Sequence, residues 1–216
     1  MIPITQHTNQ PDTFTHMANK VSTGLEALDS LLDQATPIIR ILGVDLSNRW
    51  VGKKKLGDPR NGPWYGSVHT VLDAKAWGAR AECLYFLTDG CGQLRYVGES
   101  KNRVADRWRM PPAGCATTGR DLGNPFVFHN RAWSPMEAEF REHGSSAGPF
   151  QVSVLQGTAL MAAVERSLEL RSLIPRVGDG SHLAKLVQDW LCGNALIHHT
   201  LWNVAGTWRS RKGLLQ

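Results

Sequence analysis

Leu84–Arg109 reads LYFLTDGCGQLRYVGESKNRVADRWR, and the rest of the chain is arranged around it. Cys83-Leu84-Tyr85-Phe86-Leu87 is an apolar, β-rich run, and Leu94-Arg95-Tyr96-Val97-Gly98 is a second. Thr88-Asp89-Gly90-Cys91-Gly92 lies between them and is built of turn formers, so the two runs predict a β-hairpin. After Gly98 the period changes. Ser100 is a candidate helix cap; Val104 and Trp108 share one helical face, Arg103 and Arg107 another. The order is strand, turn, strand, helix. It brings two tyrosines and a guanidinium towards one region.

That chemistry suits a phosphodiester. A guanidinium grips phosphate oxygens with a planar fork and keeps its charge as a transition state gains negative charge. A phenol orients water, or takes its proton where a cation lowers its pKa. A carboxylate for a metal ion has to come from elsewhere in the chain.

These residues resemble the start of a GIY-YIG nuclease domain. Its first motif corresponds to Cys83-Leu84-Tyr85, of which the tyrosine remains, and its second to Tyr96-Val97-Gly98, which is intact. Lys101-Asn102 and Arg107-Trp108 also fit the family pattern. The helix holds one residue more than that pattern between Gly98 and Arg107, which leaves Arg103 as an alternative.

Length and charge agree with this. A chain of 216 residues can bury a real core. No apolar run approaches the roughly 18 residues of a membrane span, and no basic-then-apolar leader opens the sequence. Cys83, Cys91, Cys115 and Cys192 are scattered, with no Cys-x-x-Cys pair, which predicts neither zinc nor a disulfide framework and fits a reducing cytoplasm. The net charge of +5 favours a polyanionic partner. Between Arg95 and Arg109, Arg95, Lys101, Arg103, Arg107 and Arg109 outnumber Glu99 and Asp106.

Residues 1–80 read as an N-terminal extension. The first 20 or so are a polar arm, and Thr23-Gly24-Leu25-Glu26 has capping-box spacing ahead of a leucine stripe that ends near Pro37. Pro37–Val44 predicts a short strand. Arg49–Gly66 is a long loop broken by glycine and proline, with Lys53, Lys54 and Lys55 interleaved with aromatics. Such a loop suits phosphate contacts and base stacking, and it also reads as a solvated loop pinned by its rings. Val68–Ala79 is helical or extended.

Residues 81–216 hold the nuclease-like domain. Phe126–Trp133 is a mixed run containing His129. Ser134-Pro135 opens a helix that stops at His143-Gly144. Phe150–Leu155 alternates as a third strand, and Thr158–Leu173 predicts a long helix with Leu160, Ala163, Val164 and Leu168 on its apolar face. Glu165 lies at the edge of that face, with Glu169 as its alternative. A further helix spans about Ser181–Ile197. The segment Thr200-Leu201-Trp202-Asn203 follows it, and then a basic tail.

The resemblance covers roughly residues 82–206 and implies the rest. Its fold is an α/β (α+β) domain, a small, mainly antiparallel three-stranded sheet flanked by helices, with residues 178–199 as a helical insertion. Its activity is metal-dependent endonucleolytic hydrolysis of DNA. The compact chain points to a sequence-specific restriction-type enzyme, with a homing or repair nuclease or an inactive nucleic-acid-binding module as alternatives. Val164-Glu165-Arg166-Ser167-Leu168 matches the family's metal-binding context, so Glu165 is expected to hold one Mg²⁺ or Mn²⁺. Tyr96 would orient or deprotonate water with Tyr85 in support. Arg107 would stabilise charge, Asn203 would orient Glu165 or the phosphate, and His129 would complete the catalytic set. Lys53, Lys54, Lys55, Lys101, Arg103 and Arg109 would touch DNA. A palindromic target would imply a homodimer.

Overall fold

In the computed structural model the quoted stretch forms the hairpin its residues predict. Strands β3 (Cys83–Thr88) and β4 (Leu94–Ser100) pair antiparallel, with Tyr85 opposite Gly98 and Leu87 opposite Tyr96. The structure describes residues 22–52, 64–108, 113–115, 117, 118, 132–178 and 182–203. Asp89 makes the turn: its Oδ1 accepts from the backbone N–H groups of Cys91 at 3.0 Å and Gln93 at 2.9 Å. Gly92 takes the left-handed φ of 80° that this Asx-type turn needs.

Two long strands precede the hairpin, β1 (Thr36–Gly52) and β2 (Trp64–Val71), and two follow it, β5 (Ala113–Cys115) and β6 (Phe150–Gln156). The order is β2-β1-β6-β3-β4, all antiparallel, with the short β5 paired to the far end of β1. The three expected strands are neighbours in it, but the sheet is wider than three. A sheet of β6, β3 and β4 alone would leave β6 as an open edge. β1 closes that edge from Thr36↔Val154 to Ile41↔Phe150, and it buries Ile38, Ile39 and Ile41 completely. Residue 80 is therefore no boundary in the sheet, because β1 and β2 lie on its N-terminal side and belong to the same sheet.

The expected loop at Arg49–Gly66 is strand at both ends. Arg49 pairs with Tyr65 and Trp50 with Trp64, in a stretch whose aromatic and β-branched residues are the types strands favour. Lys53, Lys54 and Lys55 lie outside the described residues.

Helices α1 (Glu26–Gln34), α5 (Gly157–Arg166) and α6 (Leu183–Cys192) cover one face, packing on Leu84, Phe86, Val97 and Leu155. Helices α2 (Ala74–Gly78), α3 (Val104–Trp108) and α4 (Trp133–His143) cover the other, on Tyr85, Leu87, Tyr96, Phe150 and Val152. A strand buried on both faces has to be apolar throughout, which explains the Cys83–Leu87 run. A short α7 (Ala195–His198) ends the helical layer. No helix among the described residues is long and apolar enough to cross a membrane.

Several local expectations change. Thr23 does not pair with Glu26; its Oγ1 and backbone N–H both bond Asp29 Oδ1 at 2.9 Å. Ser100 ends β4, and its Oγ accepts from Asn102 N–H at 3.2 Å in the turn before α3. The long helix expected over Thr158–Leu173 breaks at Ser167, whose Oγ accepts from Leu170 N–H at 3.3 Å. A 3₁₀ segment, Leu170–Arg176, follows, and the break leaves Leu168 74% exposed rather than on the apolar face.

Candidate active site

The hairpin and α3 build the site. Tyr85 points from β3 onto β4, where its ring lies over Gly98; a Cβ at Gly98 would fall within that ring. The Tyr96 ring stacks beside it at 6.2 Å and 21°, and Trp108 meets Tyr85 edge-on at 5.7 Å. Val104 and Trp108 are fully buried and pin α3 to this face. The Arg107 guanidinium lies near the Tyr85 hydroxyl, and its charge acts on it. Three sequence-predicted residues thus meet in one place.

Their electrostatics follow from burial. Tyr85 is 1% exposed, and burial pushes its pKa well above the ordinary phenol value, with Tyr96 adding to the rise and Arg107 opposing it. The Arg107 guanidinium loses some solvation, which acts to lower its pKa. The neighbouring Tyr85, its hydrogen bond, Glu99 and Tyr96 outweigh this and hold Arg107 above its ordinary value. Arg103, the alternative, forms a 2.9 Å ion pair with Asp106 on the surface. Lys101 and Asn102 are exposed in the preceding turn.

Asn203 also reaches this strand. Its Oδ1 accepts from Val97 N–H at 2.7 Å, its Nδ2 donates to Val97 O, and Trp202 N–H donates to Arg95 O at 2.6 Å. The free edge of β4 is thereby closed by a segment 106 residues later.

Glu165 is not brought to this group. It is exposed on α5, whose Leu160, Ala163 and Val164 pack on the face opposite Tyr85 and α3. Glu169, its alternative, is exposed beyond the same helix and accepts from Ser167 Oγ at 3.1 Å. Asn203 therefore meets the β4 backbone and not Glu165. His129 and Arg109 lie outside the described residues.

The helix that does reach β4 is α6, where Gln188 Nε2 donates to Val97 O at 3.0 Å. Val187-Gln188-Asp189-Trp190-Leu191 repeats the Val-x-x-x-Leu spacing of Val164–Leu168, with Gln188 at the place of Glu165. That repetition was the available signal, and sequence reasoning set the segment aside as an insertion. It also missed Glu82, Glu99 and His182. His182 Nδ1 lies 3.0 Å from Glu82 and its Nε2 lies 3.1 Å from Glu99. Glu99 directly follows the intact Tyr96-Val97-Gly98, but nothing in the spacing points to a histidine 100 residues after Glu82.

Among the described residues, those around Tyr85, Tyr96 and Arg107 do not offer a ligand set that fits the implied divalent ion. Hard cations take carboxylate oxygens. Here Glu165 is on the wrong face, while Glu82 and Glu99 are turned towards His182. Among the described residues no three His, Cys, Asp or Glu side chains form a group that could hold an ion. Comparison of the chain with family models, curated proteins and solved structures finds no match.

Proposed function

We propose that the chain hydrolyses phosphodiester bonds in DNA as a GIY-YIG-type endonuclease, centred on Tyr85, Tyr96 and Arg107. The supporting observation is their convergence from two strands and a helix, with the Arg107 charge acting on Tyr85 and the two phenol rings stacked. Arg107, the exposed member, meets the phosphate and neutralises the charge that develops on it. Tyr85 keeps its proton far into the alkaline range. It therefore serves as a hydrogen-bond donor that orients the reacting groups, and Arg107 fixes its oxygen. Tyr96 is the phenol left to align the attacking water. A sequence-specific restriction-type target is part of the proposal.

A second reading, a nucleic-acid-binding module without catalysis, draws on another observation. Tyr85 and Tyr96 are 1% and 6% exposed, and Glu165 sits across the sheet from them. Incubating plasmid and mixed-sequence DNA with the protein in Mg²⁺, and separately in EDTA, decides between the two. Cut ends in either condition that Arg107→Ala abolishes support the hydrolase. Intact DNA, bound with an affinity that falls steeply with salt, supports the binding module.

A further inference from the structure

The two edges of the sheet are finished differently. Trp202 and Asn203 cover β4. Among the described residues no strand pairs with the outer side of β2. Edge strands are usually kept from pairing by a charge, a proline or a bulge. β2 has none of these. Trp64–Val71 contains no Lys, Arg, Asp, Glu or Pro, and burial lowers the pKa of His69, so the strand is uncharged at neutral pH. The extra residues that break the β1–β2 register, Leu42 and 46–48, all lie in β1, while Gly66 to Val71 pair one after another. Apolar side chains gather at this edge. Val68, Val71 and Leu72 are 48%, 37% and 42% exposed, and Leu42 and Leu46 in the neighbouring bulges are 44% and 55% exposed. These are five of the eight large hydrophobic side chains exposed among the described residues, so they form one patch and not the scatter of an ordinary surface.

We propose that two copies of the chain pair antiparallel through β2 about a twofold axis at Val68, joining their sheets into one. Each chain carries a net charge of +5, so copies repel, and their contact has to fall on an uncharged stretch such as β2. The backbone already faces the right way. Leu72 N–H bonds Ile38 O at 2.8 Å, so by alternation the backbone groups of Val71 and Tyr65 point away from β1. Ser67 O meets His69 Nδ1 at 3.2 Å and keeps a second lone pair for a ladder. A twofold pair sets side chains of one face opposite each other, which places the axis on a residue. On Val68 it sets that exposed valine against its own copy, and Val71 opposite the second copy's Tyr65, an aromatic–β-branched pair. Moving the axis one residue either way sets Val68 opposite Gly66 or Thr70 and loses both apolar pairs. The far edge, β4, is closed through Val97, so association stops at two. The pairing stands independently of the hydrolase reading.

The test is the mass of the full chain in solution, without DNA, by sedimentation velocity over a concentration series. A dimer is expected; a monomer throughout, or open-ended larger species, overturns the pairing. Val68→Lys sets two like charges at the axis from a position that is already exposed, and it is expected to raise the dimer dissociation constant about tenfold or more. Leu168→Lys, exposed outside the patch, is expected to leave that constant unchanged. An unmoved constant in Val68→Lys, or equal weakening by both, overturns the proposal. Should Val68→Lys fail to fold, Val68→Cys decides. Residues facing each other in a non-hydrogen-bonded antiparallel pair have Cα atoms about 4.5 Å apart, within reach of a disulfide. Mild oxidation is expected to join two chains through residue 68, identified by mass spectrometry of the linked peptides. No link, or a link only through another cysteine, overturns the pairing at Val68.

Discussion

The Tyr85 ring covers Gly98, its partner across the β3–β4 hairpin, so closely that the glycine has no room for a side chain. The pair fixes where the phenol sits and hence where Arg107 finds it. Gly98→Ala should destabilise the fold by about 1–3 kcal/mol, the usual cost of overpacking a filled core. The loss should be smaller in a Tyr85→Ala background, where the methyl has space. Urea unfolding of the two single variants and the double variant measures that coupling, and additive effects would mean that the ring is not what excludes the methyl.

Arg107 and Glu165 lie on opposite sides of the sheet, so their substitutions separate. Arg107→Ala should remove cleavage, and Arg107→Lys should restore little of it, because a point charge lacks the planar fork. Glu165→Ala should cut at close to the wild-type rate. A Glu165→Ala protein that binds DNA but no longer cuts it would show that α5 does serve the reacting phosphate, as the family resemblance implies.

Asn203 closes the outer edge of β4 through both backbone groups of Val97. Asn203→Ala should cost about 1–3 kcal/mol, the penalty for unpaired, partly buried backbone. Asn203→Asp should cost at least as much, since it turns an acceptor towards the Val97 carbonyl. Thermal unfolding of the three proteins checks the order, and faster amide exchange at Val97 should accompany the loss.

The thiols should behave in opposite ways. Burial pushes Cys83 up to about 12 and Cys192 up to about 11. Hydrogen bonds from Thr118, and then Thr117, bring the half-buried Cys115 down to about 7. Alkylation near neutral pH, followed by mass spectrometry, should label Cys115 before Cys83 or Cys192, because the thiolate is the reactive form.

The same burial makes the fold sensitive to alkali. A thiol with a raised folded-state pKa contributes stability that is fully present below its ordinary value of 9.0. That contribution falls as pH climbs towards about 12 for Cys83. The slope is up to about 1.4 kcal/mol per pH unit for one group. Tyr85 adds to it in the same direction. Urea midpoints measured across the alkaline range should fall less steeply in Cys83→Ala than in the wild type.

Local pattern was enough to read the hairpin, its Asp89 turn, α1, the α4 stop at Gly144 and strand β6, because each depends on neighbours within a few residues. The meeting of Tyr85, Tyr96 and Arg107 was legible for the same reason, all three lying in one short stretch. The width of the sheet was not. β1 looked like a short strand and then a loop until the open edge of β6 supplied it with a partner. Nor could periodicity say which face of the sheet each helix takes. Val164-Glu165 on α5 and Val187-Gln188 on α6 read alike along the chain, and packing alone sends one helix across β6 and β3 and lays the other against β4. The Glu82–His182–Glu99 bridge joins residues that are distant in sequence. Such a contact forms only once the apolar faces of β4 and α6 have closed on each other and excluded water from between them.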